Sequence, residues 1–200
     1  MQIKKIFYSL IVFSLLPLAT MAQQTGASLK LDPSSANLNI GDSLQVKIML
    51  DTGGAETDGA EIFYLHYPQS ILEVLDADAV KSGVQISAGS LYPNTLSNNV
   101  LSNKGAIDFS QVSSGGQKFK GAGVFATINF KAKKFGKAQL FFDFKKNSTT
   151  DSNVVSLGAD ALAFVGISDL IINNPNGLPE PDTVVLPQSQ NNVPPIVAPT

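Results

Sequence analysis

A two-sheet antiparallel β-sandwich of jelly-roll type is the fold class that this 200-residue chain predicts, and three observations carry it. Apolar residues recur at alternate positions in short rows, as in Leu44, Val46, Ile48 and Leu50, which is the period of a strand with one buried face. Turn residues such as Asp51-Thr52-Gly53-Gly54 and Asn103-Lys104-Gly105 punctuate these rows at intervals of roughly 8–20 residues. No stretch of ten or more residues carries an i, i+3, i+4 apolar pattern, so helix is expected to be nearly absent. Nine strands are expected over residues 27–172.

Taken in order, Leu29 and Leu31 alternate before Asp32-Pro33, Leu38 and Ile40 before Gly41-Asp42, and the Leu44 to Leu50 row follows. Residues 60–67 read as a strand that is apolar on both faces, with Phe63, Leu65 and Tyr67 on one side and Ile62, Tyr64 and His66 on the other. Pro68 has no amide hydrogen and forces Tyr67 extended, so the chain is expected to turn there and resume at Ile71. Residues 77–99 are irregular, with short apolar fragments among Gly and Ser. Strands are then expected at 99–101 and 106–112, followed by a glycine-rich loop to Gly123. Val124, Ala126, Ile128 and Phe130 form the next inward row, and Leu140, Phe142 and Phe144 another. A polar loop covers 147–153, and a last strand covers about 161–172. The expected core is Phe63, Leu65, Tyr67, Val124, Ala126, Ile128, Phe130, Leu140 and Phe142.

The ends are different in kind. Lys4 and Lys5, an apolar run from Ile6 to Leu18, and the small-x-small ending Thr20-Met21-Ala22 have the layout of a signal peptide over residues 1–22. A run of about 13 apolar residues is short of the ~20 that span a bilayer as a helix, so export with cleavage after Ala22 is expected, giving a secreted or cell-surface protein. Residues 173–200 hold seven of the eleven prolines and only two charges, Glu180 and Asp182, and are expected to form a disordered or polyproline-II tail.

Composition excludes several function classes. A net charge of −2 with 14 scattered basic residues leaves no electrostatic footprint for nucleic acid. The absence of cysteine excludes disulfides, thiolate metal sites and a cysteine nucleophile. His66 is the only histidine and sits on an outward strand face, which suits an interface better than catalysis. Asp76 and Asp78, two apart, have no second cluster to act with. Asp151-Ser152-Asn153 opens like a calcium loop but lacks the glycine and the closing glutamate. No catalytic residue, metal site or cofactor is therefore expected.

Four local motifs carry a resemblance. They are Leu31-Asp32-Pro33 with Ile40-Gly41-Asp42 and the row after it; Gly59 through Tyr67 followed by Leu72-Glu73-Val74; Asn103 to Phe109; and the stretch Gly121 to Lys133, which enters a strand through glycines and leaves it on lysines. In this order the chain resembles the cohesin domain of bacterial scaffoldins, the dockerin-binding module of cellulosomes. The resemblance implies a nine-stranded jelly roll and a dockerin-like protein partner. Two positions depart from the family's usual pattern: Tyr67-Pro68-Gln69 stands where Tyr-Asp-Pro is common, and Ala60 and Ile62 stand where cellulosomal members carry Asn and Asp.

The expected function is a non-catalytic extracellular docking module that binds its partner through Ile62, Tyr64 and His66, because a strand apolar on both sides has one side left over when the core is filled. A carbohydrate-binding module is the alternative, with Tyr64 and Tyr92 as the aromatic platforms for a polysaccharide. A structural cell-surface subunit is another.

Overall fold

The computed structural model describes residues 26–174. The signal segment at 1–22 and most of the proline-rich tail expected from 173 onward lie outside them. Fourteen strand segments follow one another: β1 (Ala27–Pro33), β2 (Asn37–Asn39), β3 (Ser43–Asp51), β4 (Gly59–His66), β5 (Leu72–Val74), β6 (Ser87–Ala88), β7 (Asn94–Leu101), β8 (Ala106–Val112), β9 (Ala122–Ala132), β10 (Gly136–Phe142), β11 (Asn153–Ser156), β12 (Ala159–Asp160), β13 (Leu162–Val165) and β14 (Ser168–Asn173). No helix occurs among the described residues. The expected all-β sandwich is the fold found. The count exceeds nine because the expected last strand is divided in two and because short segments such as β6, β11 and β12 pair as well.

The strands form two sheets. The first runs β13-β1-β3-β9-β5, with β6 also on β9; the second runs β12-β11-β4-β10-β14-β2, with β8 on the other side of β4 and β7 beyond it. Most neighbours are antiparallel, while β1 with β13 and β14 with β2 are parallel. The single last strand expected at 161–172 is divided: β13 joins the first sheet and β14 the second, so the chain crosses the sandwich at Gly166-Ile167. The irregular region also holds more structure than its sequence shows. β7 begins at Asn94 and is tied by the Asn98 carboxamide, which accepts from Ile86 N (2.9 Å) and donates to Ile86 O (2.8 Å) in place of a backbone partner.

The core lies between the inner faces. Leu44, Val46, Ile48 and Leu50 are all buried, as the alternation of β3 requires. Around them, Phe109 packs edge-on to Phe125 at 5.1 Å, Tyr92 to Phe125 at 6.1 Å, and Tyr67 tilts against Phe130 at 5.4 Å. Ile128 is fully buried while its neighbour Thr127 is half-exposed on the outer face. Ile128→Ala is therefore expected to cost about 2–5 kcal/mol by leaving a cavity, and Thr127→Ala under about 1 kcal/mol, as urea unfolding would measure.

Two core assignments are corrected. Phe63 is 38% exposed, and Val124 is half-exposed rather than buried. Both errors have one cause, an extra residue inserted into a strand. In β4 the pairs with β8 run Ile62 to Phe109 and Phe63 to Asp108, then jump to Leu65 with Ile107, which leaves Tyr64 without a partner. In β9 the pairs with β3 run Ala126 to Ile48 and then Val124 to Met49, which leaves out Phe125. Each bulge inverts the inside-outside phase beyond it. Ala60 and Ile62 therefore face the core, as do Leu65 and Tyr67, and Phe125 joins Ala126 inside.

Candidate functional site

The second sheet presents an outward face built by β4, β8, β10 and β11. Upstream of the Tyr64 bulge, Gly59, Glu61 and Phe63 point outward; downstream, His66 does. Cross-strand pairing sets Phe141 of β10 opposite His66, and Asp108 of β8 opposite Phe63.

These positions assemble a ladder of four rings. Phe63 and Tyr64 stack with centroids 4.5 Å apart, Tyr64 meets His66 edge-on at 6.0 Å, and His66 stacks on Phe141 at 4.9 Å. The Lys104 ammonium lies 5.9 Å from the centre of the Tyr64 ring, at the outer limit of cation–π attraction. His66 Nε2 is 3.0 Å from Asp143 Oδ2, and this contact fixes the imidazole plane against Phe141. The backbone supports it: Asp143 N donates to Tyr64 O at 2.8 Å, so the bulge itself is anchored to the end of β10. All four rings are partly exposed, and the core beneath is complete without them.

Of the three residues expected to form the site, Tyr64 and His66 lie together in this ladder. Ile62 does not: it is fully buried, opposite Phe109, because the bulge turns it inward. Sequence reasoning missed Phe63 and Phe141. Phe141 was legible, since an inward Leu140 and Phe142 leave it outside; Phe63 was not, because its orientation depends on where β4 bulges.

The other candidates have local structural work. Tyr92, a possible sugar platform by sequence, is 1% exposed and lies in the core. Thr57 Oγ1 donates to Phe119 O at 2.9 Å, so the contact of 2.6 Å between Tyr92 Oη and Thr57 Oγ1 has the phenol as donor. Burial pushes the Tyr92 phenol up from its ordinary value, and burial does the same to Tyr67. For a group raised in the folded state, the contribution is complete below the unfolded value of about 10 and is lost as pH rises through the folded value. Stability is accordingly expected to fall as pH is raised beyond about 10, and urea midpoints measured between about pH 8 and pH 11 would show it.

Asp76 accepts from the backbone N–H of Gln85 (3.0 Å) and of Asp78 (3.1 Å), bonds that hold its carboxyl below the usual range and close the 76–85 loop. Asp78 pairs with Lys81 at 3.4 Å. Asp151 accepts from Lys145 N and so caps the 145–151 turn. Among the described residues, no three His, Asp or Glu side chains converge in a way that could hold a metal ion.

The sequence profile of the cohesin domain matches residues 27–162. The chain is similar in structure to a type II cohesin domain from the cellulosome of Acetivibrio cellulolyticus, at 13% identity and a TM-score of 0.58, over 74% of this chain and 98% of that one. It is similar also to the seventh ScaB type I cohesin from Pseudobacteroides cellulosolvens, at 18% identity and a TM-score of 0.57, over 79% and 99%. A type I cohesin–dockerin complex from Clostridium thermocellum matches at 14% identity with a TM-score of 0.55, over 74% and 99%. No curated protein matches the sequence.

Proposed function

This chain belongs to the cohesin domain family, and on that premise we propose that it is a non-catalytic docking module whose partner is a dockerin-type protein module. The observation that carries the choice of surface is the ring ladder Phe63, Tyr64, His66 and Phe141, exposed on a sheet whose inner face already fills the core. Clustered aromatic surface that folding does not need is the usual mark of an interface, and rigid rings lose little entropy on binding. A cohesin has been seen with a dockerin in the Clostridium thermocellum complex, which supports a partner of that class here. The signal-like residues 1–22 support a place outside the cell, where such a partner would be met.

Direct polysaccharide binding is the weaker alternative. Tyr92 is in the core, and Tyr64 has one ring face against Phe63, so a flat two-tyrosine platform does not exist.

Calorimetric titration of the full chain with a panel of type I and type II dockerin modules tests the proposal, alongside retention on insoluble cellulose and chitin. At least one dockerin is expected to bind one-to-one with a Kd of about 1 μM or tighter. Retention on polysaccharide with no dockerin bound would overturn it.

A further inference from the structure

Beside the ring ladder the outward face holds a groove of about 210 Å3, lined by Gly59, Glu61, Leu96, Ser110, Val112 and Val155 among others. It exists because the β4 position between Val112 and Val155 is a glycine. Gly59 pairs with both residues, and with no side chain there its backbone is the floor. A Cβ at Gly59 would stand 2.7 Å from Gln111 O and 2.9 Å from Val112 Cγ1, so the strands are also too close to admit one. Ser110, small and 8% exposed, continues the floor beneath Glu61. Leu96, the bulged residue of β7, is 68% exposed and forms the outer wall.

Leu96, Val112 and Val155 make the walls apolar, Glu61 and Asp58 bring carboxylates to the lining, and Asp108 stands outside it on β8. Glu61 accepts one side-chain hydrogen bond, from the neutral Asn153 Nδ2 at 3.0 Å. Asp108, across from Phe63, accepts from the neutral Ser97 Oγ at 2.7 Å. Neither carboxylate takes part in an ion pair among the described residues, whereas Asp58 at the same groove is matched by Lys118 at 2.8 Å and Asp143 by His66. An apolar occupant would strand the Glu61 charge away from water, and an anion would be repelled. A metal ion needs several oxygens at one point, and among the described residues no three acidic or histidine side chains converge to supply them. What fits both parts is a long cationic side chain, whose methylenes lie along apolar surface while its head reaches a carboxylate.

We propose that this groove seats a lysine or arginine side chain of the partner, its stem along Leu96, Val112 and Val155 and its charge on Glu61, with Phe63 at the rim. The proposal rests on the docking function above, but its test is separable from it. The full chain, labelled with nitrogen-15, is titrated with N-butylguanidinium and, in parallel, with N-butylurea, which has nearly the same shape and no charge. The cation is expected to shift the Glu61, Ser110 and Val112 amides saturably, and at least tenfold more tightly than the urea. Glu61→Gln is expected to abolish that difference, and Ser110→Leu, which fills the floor, to abolish binding of both. Equal shifts from cation and urea, an unchanged response in Glu61→Gln, or shifts scattered over every carboxylate would overturn it. If a dockerin bound wild type and Glu61→Gln equally, the seat would fail while docking stood. If the cation saturated the groove but no dockerin bound, the seat would stand and the docking partner would fail.

Discussion

Replacing Ile62 with aspartate is expected to unfold the chain. The position reads in the sequence as a surface strand residue, where a charge would be tolerated, but it has no exposed surface and pairs with Phe109, itself fully buried. Losing the isoleucine forfeits roughly 1.5–3 kcal/mol of apolar burial. The carboxylate then has no partner on the inner face of β4, whose neighbours Ala60 and Leu65 are buried apolar residues. It must either remain charged, at several kcal/mol, or fold only when protonated. Together these exceed about 5 kcal/mol, a large part of the 5–15 kcal/mol by which domains are stable. Loss of the dispersed amide spectrum and of the cooperative urea transition is the expected result. A folded variant with the wild-type midpoint would place Ile62 on the surface and remove the bulge from the account.

The double replacement Phe63→Ala, Tyr64→Ala one step along the same strand is expected to do the reverse. Phe63 is 38% exposed and Tyr64 is half-exposed, both outside the core, so stability should change by no more than about 1–2 kcal/mol. Removing both rings takes away the stacked pair and leaves His66 and Phe141 as the remnant of the ladder. Interface aromatics at the centre of a patch are worth about 2 kcal/mol or more each when truncated, so dockerin affinity is expected to fall by a factor of about 100 or greater, read by calorimetry against the wild type. An unchanged Kd in a folded variant would move the docking surface elsewhere on the molecule. The two experiments together separate a folding residue from a binding residue at adjacent positions, which composition alone treats as equivalent.

How far the residues themselves specified this outcome depends on the strand. In β3 the row Leu44, Val46, Ile48 and Leu50 alternates with polar neighbours, so one face had to be buried, and it is. The same holds for Leu140 and Phe142 in β10 and for Ile128 and Phe130 in β9. The all-β class, the turn at Pro68 and the outward Tyr64 and His66 follow from period and turn chemistry, which are local properties of a chain. The motifs from Leu31 to Lys133 were enough to name the family. The inward turn of Ile62, the outward turn of Phe63 and the half-exposure of Val124 were not local properties. β4 and β9 are apolar at successive positions around Tyr64 and Phe125, so either phase buries enough, and the choice falls to hydrogen bonding with neighbouring strands: β8 pairs Phe63 and Leu65 but skips Tyr64, and β3 pairs Val124 and Ala126 but skips Phe125. The groove over Gly59 was equally out of reach, since it is made by Val112, Val155 and Leu96 from three different strands and rims. A sequence fixes which residues prefer burial; which of two neighbours attains it is settled only when a partner strand fixes the register, because one inserted residue reverses every side chain beyond it.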